Sequence, residues 1–335
     1  MVLPTLHKIG HPELFQGSKS RKSYFEGWYF KLVDAVEATI LAVVPGIALG
    51  VSQKDSHAFV QVFNGKTGDY TYFTFSLDDF RPASRSFEVR IAENYFSAAE
   101  LRLELQQPSR RIRGELRFNN VVPYPKRLLS PGFMGWASFV PFLQCKHGIV
   151  SMNHTLEGAL EINGARVSFD GGRGYIEKDW GHSFPRAYIW MHSNHFADDA
   201  ISFTLVLARL SWLGLPLTGL GAALWYNDRV YTLATTYTGA RITRFESQAN
   251  QVRLTVEDKR LQLTIEAIQG GTWSLRSPVR GSMTGTVTES LTSTLHLTAY
   301  EKTKGGKRLF LDETGRNAGL EIQDPAHEFA RALAR

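Results

Sequence analysis

The stretch ALEINGARVSF, residues 159–169, carries the clearest fold signal in this sequence. Asn163-Gly164 separates two short runs in which apolar and polar residues alternate, and this dipeptide favours the tight turn of a β-hairpin. Asn227-Asp228 stands in the same position between two later runs. Similar runs, separated by turn residues at intervals of roughly 8–12 residues, continue along most of the chain, as in sandwiches and barrels. We therefore predict an all-β protein with antiparallel sheets and under about 15 % helix, against a usual 30–35 %.

The length of the chain predicts two domains. At 335 residues it exceeds the size that one ordinary core supports. Because a new strand-like run begins at Ala187, the expected division is an N-terminal β domain of residues 1–185 and a C-terminal β domain of residues 186–335. Each domain should be an antiparallel barrel or sandwich. Gly27-Trp28 and Trp180-Gly181 are expected to mark related points in two similar barrels.

A short helix is expected at the C-terminus. Asp324 is a suitable N-cap, Pro325 suits the first helical position, and Phe329 and Leu333 are four residues apart. We expect the face that carries Phe329 and Leu333 to pack on a barrel wall.

The longest apolar stretch, residues 205–224, has three interpretations. Arg209, Pro216 and three glycines interrupt it, which favours two buried strands joined by a turn at Gly214-Leu215-Pro216 over a membrane-spanning helix. A surface that touches lipid is the third interpretation.

Charge and cysteine content exclude several classes of function. The formal charge of +6 comes from 38 basic and 32 acidic residues without a dense basic run, so we expect no nucleic-acid partner. The excess mildly favours an anionic membrane surface. The one cysteine, Cys145, permits neither an intrachain disulfide nor a cysteine cluster for a metal. With no apolar signal segment in the N-terminal sequence, we expect a cytoplasmic protein, with peripheral membrane contact left open.

Four aromatic residues, one acid and one glycine make up most of the stretch YFEGWYFK, residues 24–31. On a strand, Tyr24, Glu26 and Trp28 share one face, while Tyr29 lies on the other. These four residues are candidates for substrate binding. The alternative is structural: a first barrel strand whose Trp28 fills one end, with Glu26 paired to an arginine.

The densest group of acids, bases and aromatics is GYIEKDWGHSFP, residues 174–185. An extended conformation puts Glu177 and Asp179 on one face and Lys178 on the other. Two carboxyl groups that face one enclosed space repel each other, which raises one pKa and leaves a proton donor near neutral pH. His182 is a candidate to hold or relay that proton, and Trp180 is a candidate to contact the substrate. The alternative is an interdomain salt-bridge cluster that anchors a turn.

The stretch WMHSNHF predicts a mixed apolar and polar pocket. Alternation puts Trp190, His192 and Asn194 on one face, which we expect to line a barrel interior as a substrate-binding surface. His154 is a further candidate for this lining. A metal site would draw on these histidines, but His192 and His195 are three residues apart and point to opposite faces of a strand. We therefore expect no bound metal.

These segments resemble the tocopherol cyclase family. Residues 24–31 look like its N-terminal aromatic-acid-Gly-Trp-Tyr motif. Residues 177–185 look like its central Glu-Lys-x-Trp-Gly motif, followed by the aromatic strand at residues 188–196. The stretches GWASFVPF, from residue 135, and AGLE, from residue 318, fit as well, so the resemblance runs along nearly the whole chain. The central motif is its specific part.

The resemblance implies a pair of lipocalin-like barrels, related to the carotenoid hydratases and to certain fungal Diels–Alderases. It also implies chemistry without a redox cofactor: an acid protonates a prenyl double bond, a tertiary cation forms, and a phenolic oxygen of the same substrate closes a ring. Photosynthetic cyclases usually carry Asn at the position of Asp179. Glu177 is then the shared carboxyl group and the expected acid, while Asp179 is a second acid or marks a subgroup with another substrate.

The sequence thus supports two hypotheses of different classes. The first is a cofactor-independent cyclase or isomerase that acts on a prenylated quinol or related terpenoid, with Glu177, Asp179 and His182 as its catalytic residues. The second is a lipocalin-like carrier that holds a lipid, prenylquinone or pigment without any chemistry. The two acids distinguish these hypotheses, because a carrier does not require a pair of carboxyl groups in its pocket. In both, the partner is an apolar, prenylated or lipid-like small molecule.

Overall fold

A computed structural model describes residues 7–126 and 130–333, and the side chains of Ala326 and Leu333 lie outside that description. Strands make up 65 % of the structure and helix makes up 7 %. The predicted all-β fold with little helix is therefore confirmed, and the architecture is the two-domain, lipocalin-like one that the resemblance implied. Among the described residues, no helix is long and apolar enough to cross a membrane.

Two extended antiparallel sheets contain the strands. The strands of the first sheet are β1 Tyr24–Val33, β2 Ile40–Leu49, β3 His57–Asn64, β4 Tyr70–Phe75, β5 Phe80–Pro82, β6 Glu88–Ile91, β7 Asn94–Ser97, β8 Glu100–Gln107, β9 Arg110–Pro123, β10 Cys145–Ile162, β11 Ala165–Ser168 and β12 Arg173–Gly181. Those of the second are β13 Ala187–Ser193, β14 Ile201–Trp212, β15 Leu215–Tyr226, β16 Arg229–Ala234, β17 Arg241–Gln248, β18 Gln251–Glu257, β19 Leu261–Ile268, β20 Thr272–Val279, β21 Ser282–Thr303 and β22 Gly306–Gln323. Short 3-10 turns occur at Gln53–Asp55, Leu77–Asp79, Gly135–Phe139 and Pro325–His327.

The two sheets share one strand order. In the first it is β4-β3-β2-β1-β12-β10-β9-β8-β7-β6-β5, and in the second it is β16-β15-β14-β13-β22-β21-β19-β18-β17. Each sheet pairs its first strand with its last, so β1 and β12 correspond to β13 and β22. Gly27-Trp28 and Trp180-Gly181 lie on neighbouring strands of one sheet, with Glu26 opposite Trp180. The expectation that these two pairs mark related points in two similar barrels is therefore wrong.

The chain forms two compact units. The first takes the chain up to Phe133, Gln144–Phe184 and Leu275–Thr286. The second takes Met134–Leu143, Pro185–Ser274 and the residues from Val287 onward. Met134–Leu143 and Leu275–Thr286 thus belong to the unit on the other side of a cut after residue 185. The division into residues 1–185 and 186–335 stays a prediction.

The predicted hairpin turns are present. Asn163 and Gly164 have φ values of 52° and 87°, in the left-handed region that a tight two-residue turn requires. The apolar stretch of residues 205–224 forms the hairpin of β14 and β15, as predicted. The predicted burial of both strands is only partly correct, because residues 215–218 at the start of β15 are exposed. The turn of this hairpin is Leu213-Gly214, with φ values of 49° and 86°, and therefore begins one residue earlier than the sequence indicated.

Each unit has its own apolar core, toward which β1 and β13 direct alternate residues. The core-facing residues of β1 are Tyr24, Trp28, Phe30 and Leu32. Those of β13 are Ala187, Ile189 and Met191. Trp190 and His192 therefore lie on the opposite face of their sheet. The expectation that they line a barrel interior is wrong, because β13 is buried on both faces and the face of Ala187, Ile189 and Met191 takes the core.

The C-terminal helix runs from Glu328 to Leu333, directly after a 3-10 turn that begins at Pro325. Oδ1 of Asp324 accepts a hydrogen bond from the backbone N–H of Phe329 at 3.1 Å, so the predicted residue does hold the start of the helix. The ring of Phe329 is buried and lies 5.9 Å from the ring of Phe245. The helix thus packs on the second unit's core, while the predicted contribution of the Leu333 side chain falls outside the described residues.

Candidate functional site

An ion pair lies inside the first unit, between β1 and β12. Lys178 stands opposite Trp28 in the pairing of these strands, so the two side chains share the core face. The Lys178 ammonium is 2.5 Å from Oε1 of Glu26, and both residues are fully buried. The predicted arginine partner for Glu26 is therefore wrong: the cation is a lysine of the central motif.

Further hydrogen bonds tie this pair to the N-terminal segment. Lys178 donates to the carbonyl oxygen of Pro12 at 2.7 Å. Glu26 accepts hydrogen bonds from the backbone N–H groups of residues 16 and 17, at 2.7 and 3.0 Å, and from the hydroxyl of Tyr24. These partners let Glu26 and Lys178 hold the N-terminal segment on the sheet, which supports a structural role for both.

Two indole rings enclose the Lys178 ammonium. Nζ is 4.8 Å from the ring centroid of Trp28 and 4.8 Å from that of Trp180, within the range of cation–π attraction. Burial lowers the pKa of Lys178 to about 8, although the Glu26 carboxylate opposes this shift. Trp28 also stacks on Phe87 with ring centroids 5.7 Å apart. The core face of this sheet is therefore filled by its own side chains.

The opposite face of β12 carries the acids. Glu177 and Asp179 share this face, as alternation predicted. The hydroxyl of Tyr175 donates a hydrogen bond to Oε2 of Glu177 at 2.5 Å. Glu177 is only 4 % exposed, and Tyr29 of β1 stands directly opposite it. The face thus presents a buried carboxyl group with a tyrosine on either side.

A histidine that the sequence did not indicate completes this group. His147 of β10 stands opposite Asp179 in the pairing of β10 with β12. Its Nδ1 is 3.0 Å from Oδ1 of Asp179, and its Nε2 is 3.5 Å from Oε2 of Glu177. The imidazole therefore bridges the two carboxyl groups. His147 belongs to no motif in the sequence, and the strand register alone places it here.

The charges of this cluster favour a protonated His147. Burial disfavours the imidazolium, but the Asp179 and Glu177 carboxylates and the hydrogen bond to Asp179 outweigh burial and raise the pKa of His147 to about 9. A proton therefore resides in the cluster at neutral pH. The Asp179 side chain is 25 % exposed, which gives solvent a route by which to replace that proton.

The same three side chains have the donor types of a metal site. One ligand atom from each of His147, Glu177 and Asp179 lies within 4.8 Å of the others. A metal ion would have to displace the proton that the two carboxylates hold on the imidazole. The expectation of a metal-free protein stays a prediction, which metal analysis of the purified protein tests.

The other predicted histidines of this unit have different described partners. Nδ1 of His182 is 3.2 Å from Oγ of Ser183, just beyond β12. His154 is fully buried, with its Nδ1 2.8 Å from Oγ of Ser151 and its ring 4.5 Å from that of Phe118. Burial lowers the pKa of His154 to about 3, so this imidazole is neutral. The relay role predicted for His182 therefore fits the position of His147 better.

The predicted residues of the second unit are all buried. Trp190 and His192 share one face of β13, as predicted, and the Trp190 ring lies so close over Gly319 that an added Cβ would be 2.4 Å from it. Oδ1 of Asn194 accepts a hydrogen bond from Nδ1 of His195 at 2.8 Å, beyond the end of β13. Asn194 is thus held by its neighbour in the chain.

A second buried glutamate occupies the corresponding place in this unit. Glu321 of β22 stands opposite Trp190 of β13, just as Glu177 of β12 stands opposite Tyr29 of β1. The Tyr188 hydroxyl donates a hydrogen bond to Glu321. In the sequence, Glu321 stood out only as part of a weak motif, and the shared strand order is the signal that identifies it.

A family model and two plant protein sequences match this chain, and all three describe tocopherol cyclases or similar proteins. The family model of tocopherol cyclase-like proteins matches residues 83–323. The chain is 28 % identical over 201 residues to the probable chloroplastic tocopherol cyclase of Oryza sativa subsp. japonica, and 26 % identical over 201 residues to the chloroplastic tocopherol cyclase of Zea mays. Each match covers 56 % of this chain and 41 % of the plant protein, so the chain spans about two-fifths of the length of these relatives.

Solved structures share the fold. The crystal structure of CghA with Sch210972 has a TM-score of 0.56 and 11 % identity, over 89 % of this chain and 88 % of that one. A putative AttH protein from Nitrosomonas europaea has a TM-score of 0.51 and 13 % identity, over 89 % and 92 %. At such identities the similarity shows the fold alone. Because the family model matches well over half of its residues, this chain belongs to the tocopherol cyclase-like family.

Proposed function

We propose that this protein is a cofactor-independent enzyme that cyclises or isomerises a prenylated quinol or a related terpenoid by acid catalysis. The observation that carries the proposal is the buried cluster in which Glu177 and Asp179 hold a proton on His147. Membership of the family supports the reaction class. The substrate class comes from the same resemblance and is part of the proposal.

Glu177 is the proposed acid. Its Oε2 lies 3.5 Å from Nε2 of His147, so the imidazolium proton has a short path to the carboxylate. A carboxylic acid is a much stronger donor to carbon than an imidazolium with a pKa of about 9. Asp179 fixes the orientation of the imidazole through Nδ1 and, as the more exposed acid, connects the cluster to solvent.

The proposed step adds one proton to a prenyl double bond. The new C–H bond takes its hydrogen from Glu177, and the remaining alkene carbon becomes a tertiary cation. The Glu177 and Asp179 carboxylates then face this cation, and the rings of Tyr29 and Tyr175 add cation–π attraction. Attack by the phenolic oxygen of the same substrate forms the C–O bond, and the phenolic proton returns to the cluster. Product and substrate are isomers, so the step balances without an oxidant or reductant.

The alternative function is a lipocalin-like carrier of a lipid, prenylquinone or pigment. A carrier of this kind would place its ligand inside a barrel, but the core face of β1 and β12 is filled by Trp28, the Lys178–Glu26 pair and stacked rings. A proton held between two carboxyl groups also has no use in a carrier. Both observations favour the enzyme.

Turnover in D2O distinguishes the two functions. The protein is incubated with a panel of prenylated quinols, and the products are washed with H2O and weighed by mass spectrometry. An acid-catalysed cyclase gives an isomer of the substrate that retains one deuterium on carbon, because the new C–H bond draws on an exchangeable acid. A carrier returns the quinol unlabelled. Tight binding of a quinol or terpenoid without any conversion would establish the carrier instead.

A further inference from the structure

Large apolar side chains are exposed in two neighbouring segments of the second unit. They are Trp136, Phe139, Phe142, Leu213, Leu215 and Leu217, with exposed fractions of 54, 44, 81, 71, 60 and 42 %. We call these six residues the apolar tip. They are half of the twelve large apolar residues that are exposed in the described part of the chain, so exposure is concentrated here rather than scattered.

Direct contacts join the two segments into one surface. The indole Nε1 of Trp212, at the end of β14, donates a hydrogen bond to the carbonyl oxygen of Pro141 at 3.0 Å. Leu143 and Trp212 form an isolated β-bridge. The 3-10 turn that carries Trp136 and Phe139 is therefore fixed beside the tip of the β14–β15 hairpin.

Two large apolar residues of these turns have backbone conformations that small or polar residues adopt more easily. Phe142 and Leu213 have φ values of 56° and 49°, in the left-handed region that glycine and asparagine tolerate best. Other tight hairpins of the chain place Asn163-Gly164, Asn227-Asp228 and Arg280-Gly281 at such positions. Among the described non-glycine residues with a positive φ, only Phe142 and Leu213 are large and apolar, so these two side chains require a reason beyond the turn itself.

The apolar tip also lacks charge. No Asp, Glu, Lys or Arg occurs in residues 131–145 or 210–227, although 21 % of the whole chain is charged. Interfaces between proteins have polar and charged rims that fix the orientation of the partner. A surface of Trp, Phe and Leu on projecting turns, without such a rim in these segments, suits a partner that is apolar and needs no specific pairing.

We propose that the apolar tip inserts into the interfacial layer of a lipid bilayer. Trp and Phe are favoured at the boundary between headgroups and acyl chains, and leucines at a hairpin tip reach the apolar side of that boundary. The proposal rests on this surface alone and does not depend on the proposed catalysis. A bilayer would also be the place from which the protein takes the proposed prenylated substrate, because such a molecule dissolves in the same layer.

Vesicle flotation with the full chain tests the proposal. The test variant carries Leu213→Asn, Leu215→Thr and Leu217→Thr, all at the exposed hairpin tip. The matched control carries Val36→Thr, Ile268→Thr and Leu309→Thr, three exposed apolar residues outside the tip. We expect the wild type to float with neutral phosphatidylcholine vesicles, the control to partition within twofold of it, and the tip variant to partition at least tenfold less. Circular dichroism confirms that all three proteins are folded.

Three outcomes would overturn the proposal. One is wild-type protein that stays with the aqueous phase at every lipid concentration. Another is binding that requires anionic phosphatidylglycerol and vanishes at high salt, because the net charge of +6 would then be the cause. The third is a concentration-dependent dimer in analytical ultracentrifugation that the tip variant loses, without vesicle binding, because the surface would then join two copies of this chain.

Discussion

Glu177 and Asp179 are two residues apart on one strand, but their surroundings differ. Glu177 is almost completely buried and accepts the Tyr175 hydroxyl, whereas Asp179 is partly exposed and holds His147 through Nδ1. A buried group is the better donor to an apolar substrate, and an exposed one is the better link to solvent. These differences support the proposed roles, with Glu177 as the donor and Asp179 as the link to solvent.

Glu177→Gln should abolish turnover of a prenylated quinol while folding and quinol binding stay nearly intact. The amide has almost the same shape as the acid but cannot donate the proton, and general acid catalysis typically contributes about 10²–10⁴-fold. Asp179→Asn is the matched variant and should be milder, because Glu177 can still receive the His147 proton. Single-turnover kinetics and a thermal melt measure both effects. Equal losses would mean that the two acids share the proton, and unchanged turnover in both variants would place the acid elsewhere.

His147 should make the stability of the protein depend on pH. Its pKa is raised from 6.5 to about 9 in the folded state, so its stabilising contribution is complete below about pH 6.5 and is lost as the pH rises through about 9. This shift in the pKa of His147 corresponds to at most about 3 kcal/mol of unfolding free energy. Urea unfolding of the wild type and of His147→Gln at about pH 6 and about pH 9.5 measures it.

The quantity to follow is the difference in unfolding free energy between the wild type and His147→Gln. Lys178 has a lowered pKa and shifts stability in the opposite direction between about pH 8 and pH 10.5, but it does so in both proteins. We expect the wild type to exceed the variant in unfolding free energy by most at the lower pH and by less at the higher pH. An advantage that is constant with pH would show that His147 is not the group that holds the proton.

The sequence could predict the faces of Glu177 and Asp179, but it could not predict their partner. Alternation along a strand is a local property, and it correctly separated these acids from Lys178. His147 is some thirty residues away, and its place opposite Asp179 depends on the register of β10, which shifts at Ser151. The core-facing side of β13 was mispredicted for a related reason: both faces are buried, so hydrophobicity does not reveal which one meets the core.

At the scale of strands, the pairing of β10 with β12 depends on a close approach. Gly174 of β12 stands opposite His154 of β10, and a Cβ built on Gly174 would lie 2.2 Å from Nε2 of that imidazole. His154 has little room to move, because it is fully buried and its ring contacts Phe118. A side chain at residue 174 would therefore push apart the two strands that position His147 and Glu177.

Gly174→Ala should destabilise the protein by about 1–3 kcal/mol, the usual cost of overpacking. The control is Gly219→Ala on β15, where an added Cβ meets nothing within 4 Å, and it should change stability by less than about 0.5 kcal/mol. Urea unfolding measures both variants. Adding His154→Ala to Gly174→Ala should recover part of the loss, since the two side chains then no longer compete for one space. Equal effects of the two glycine variants would contradict this account.

The strand order that the two units share makes Glu177 and Glu321 equivalent. Each stands on the last strand of its sheet, opposite an aromatic residue of the first strand, and each accepts a tyrosine hydroxyl. The residues two positions after these glutamates differ between the two units. In the first unit, Asp179 follows two residues after Glu177 and pairs with His147, whereas Gln323 holds the corresponding position after Glu321.

The two glutamates should therefore differ in catalysis. The residue of β21 that corresponds to His147 is Val287, two residues before the Glu289 that stands opposite Glu321. The second unit thus has the acid, but at the two equivalent positions it carries Gln323 and Val287 instead of the Asp–His pair that would supply a proton. We predict that Glu321→Gln keeps turnover within about tenfold of the wild type, while Glu177→Gln loses about 10²–10⁴-fold. Deuterium incorporation from D2O under single-turnover conditions measures both variants on one scale. If Glu321→Gln were the more damaging substitution, the second unit would provide the acid, and the His147 cluster would be an ion-pair network that stabilises the first sheet.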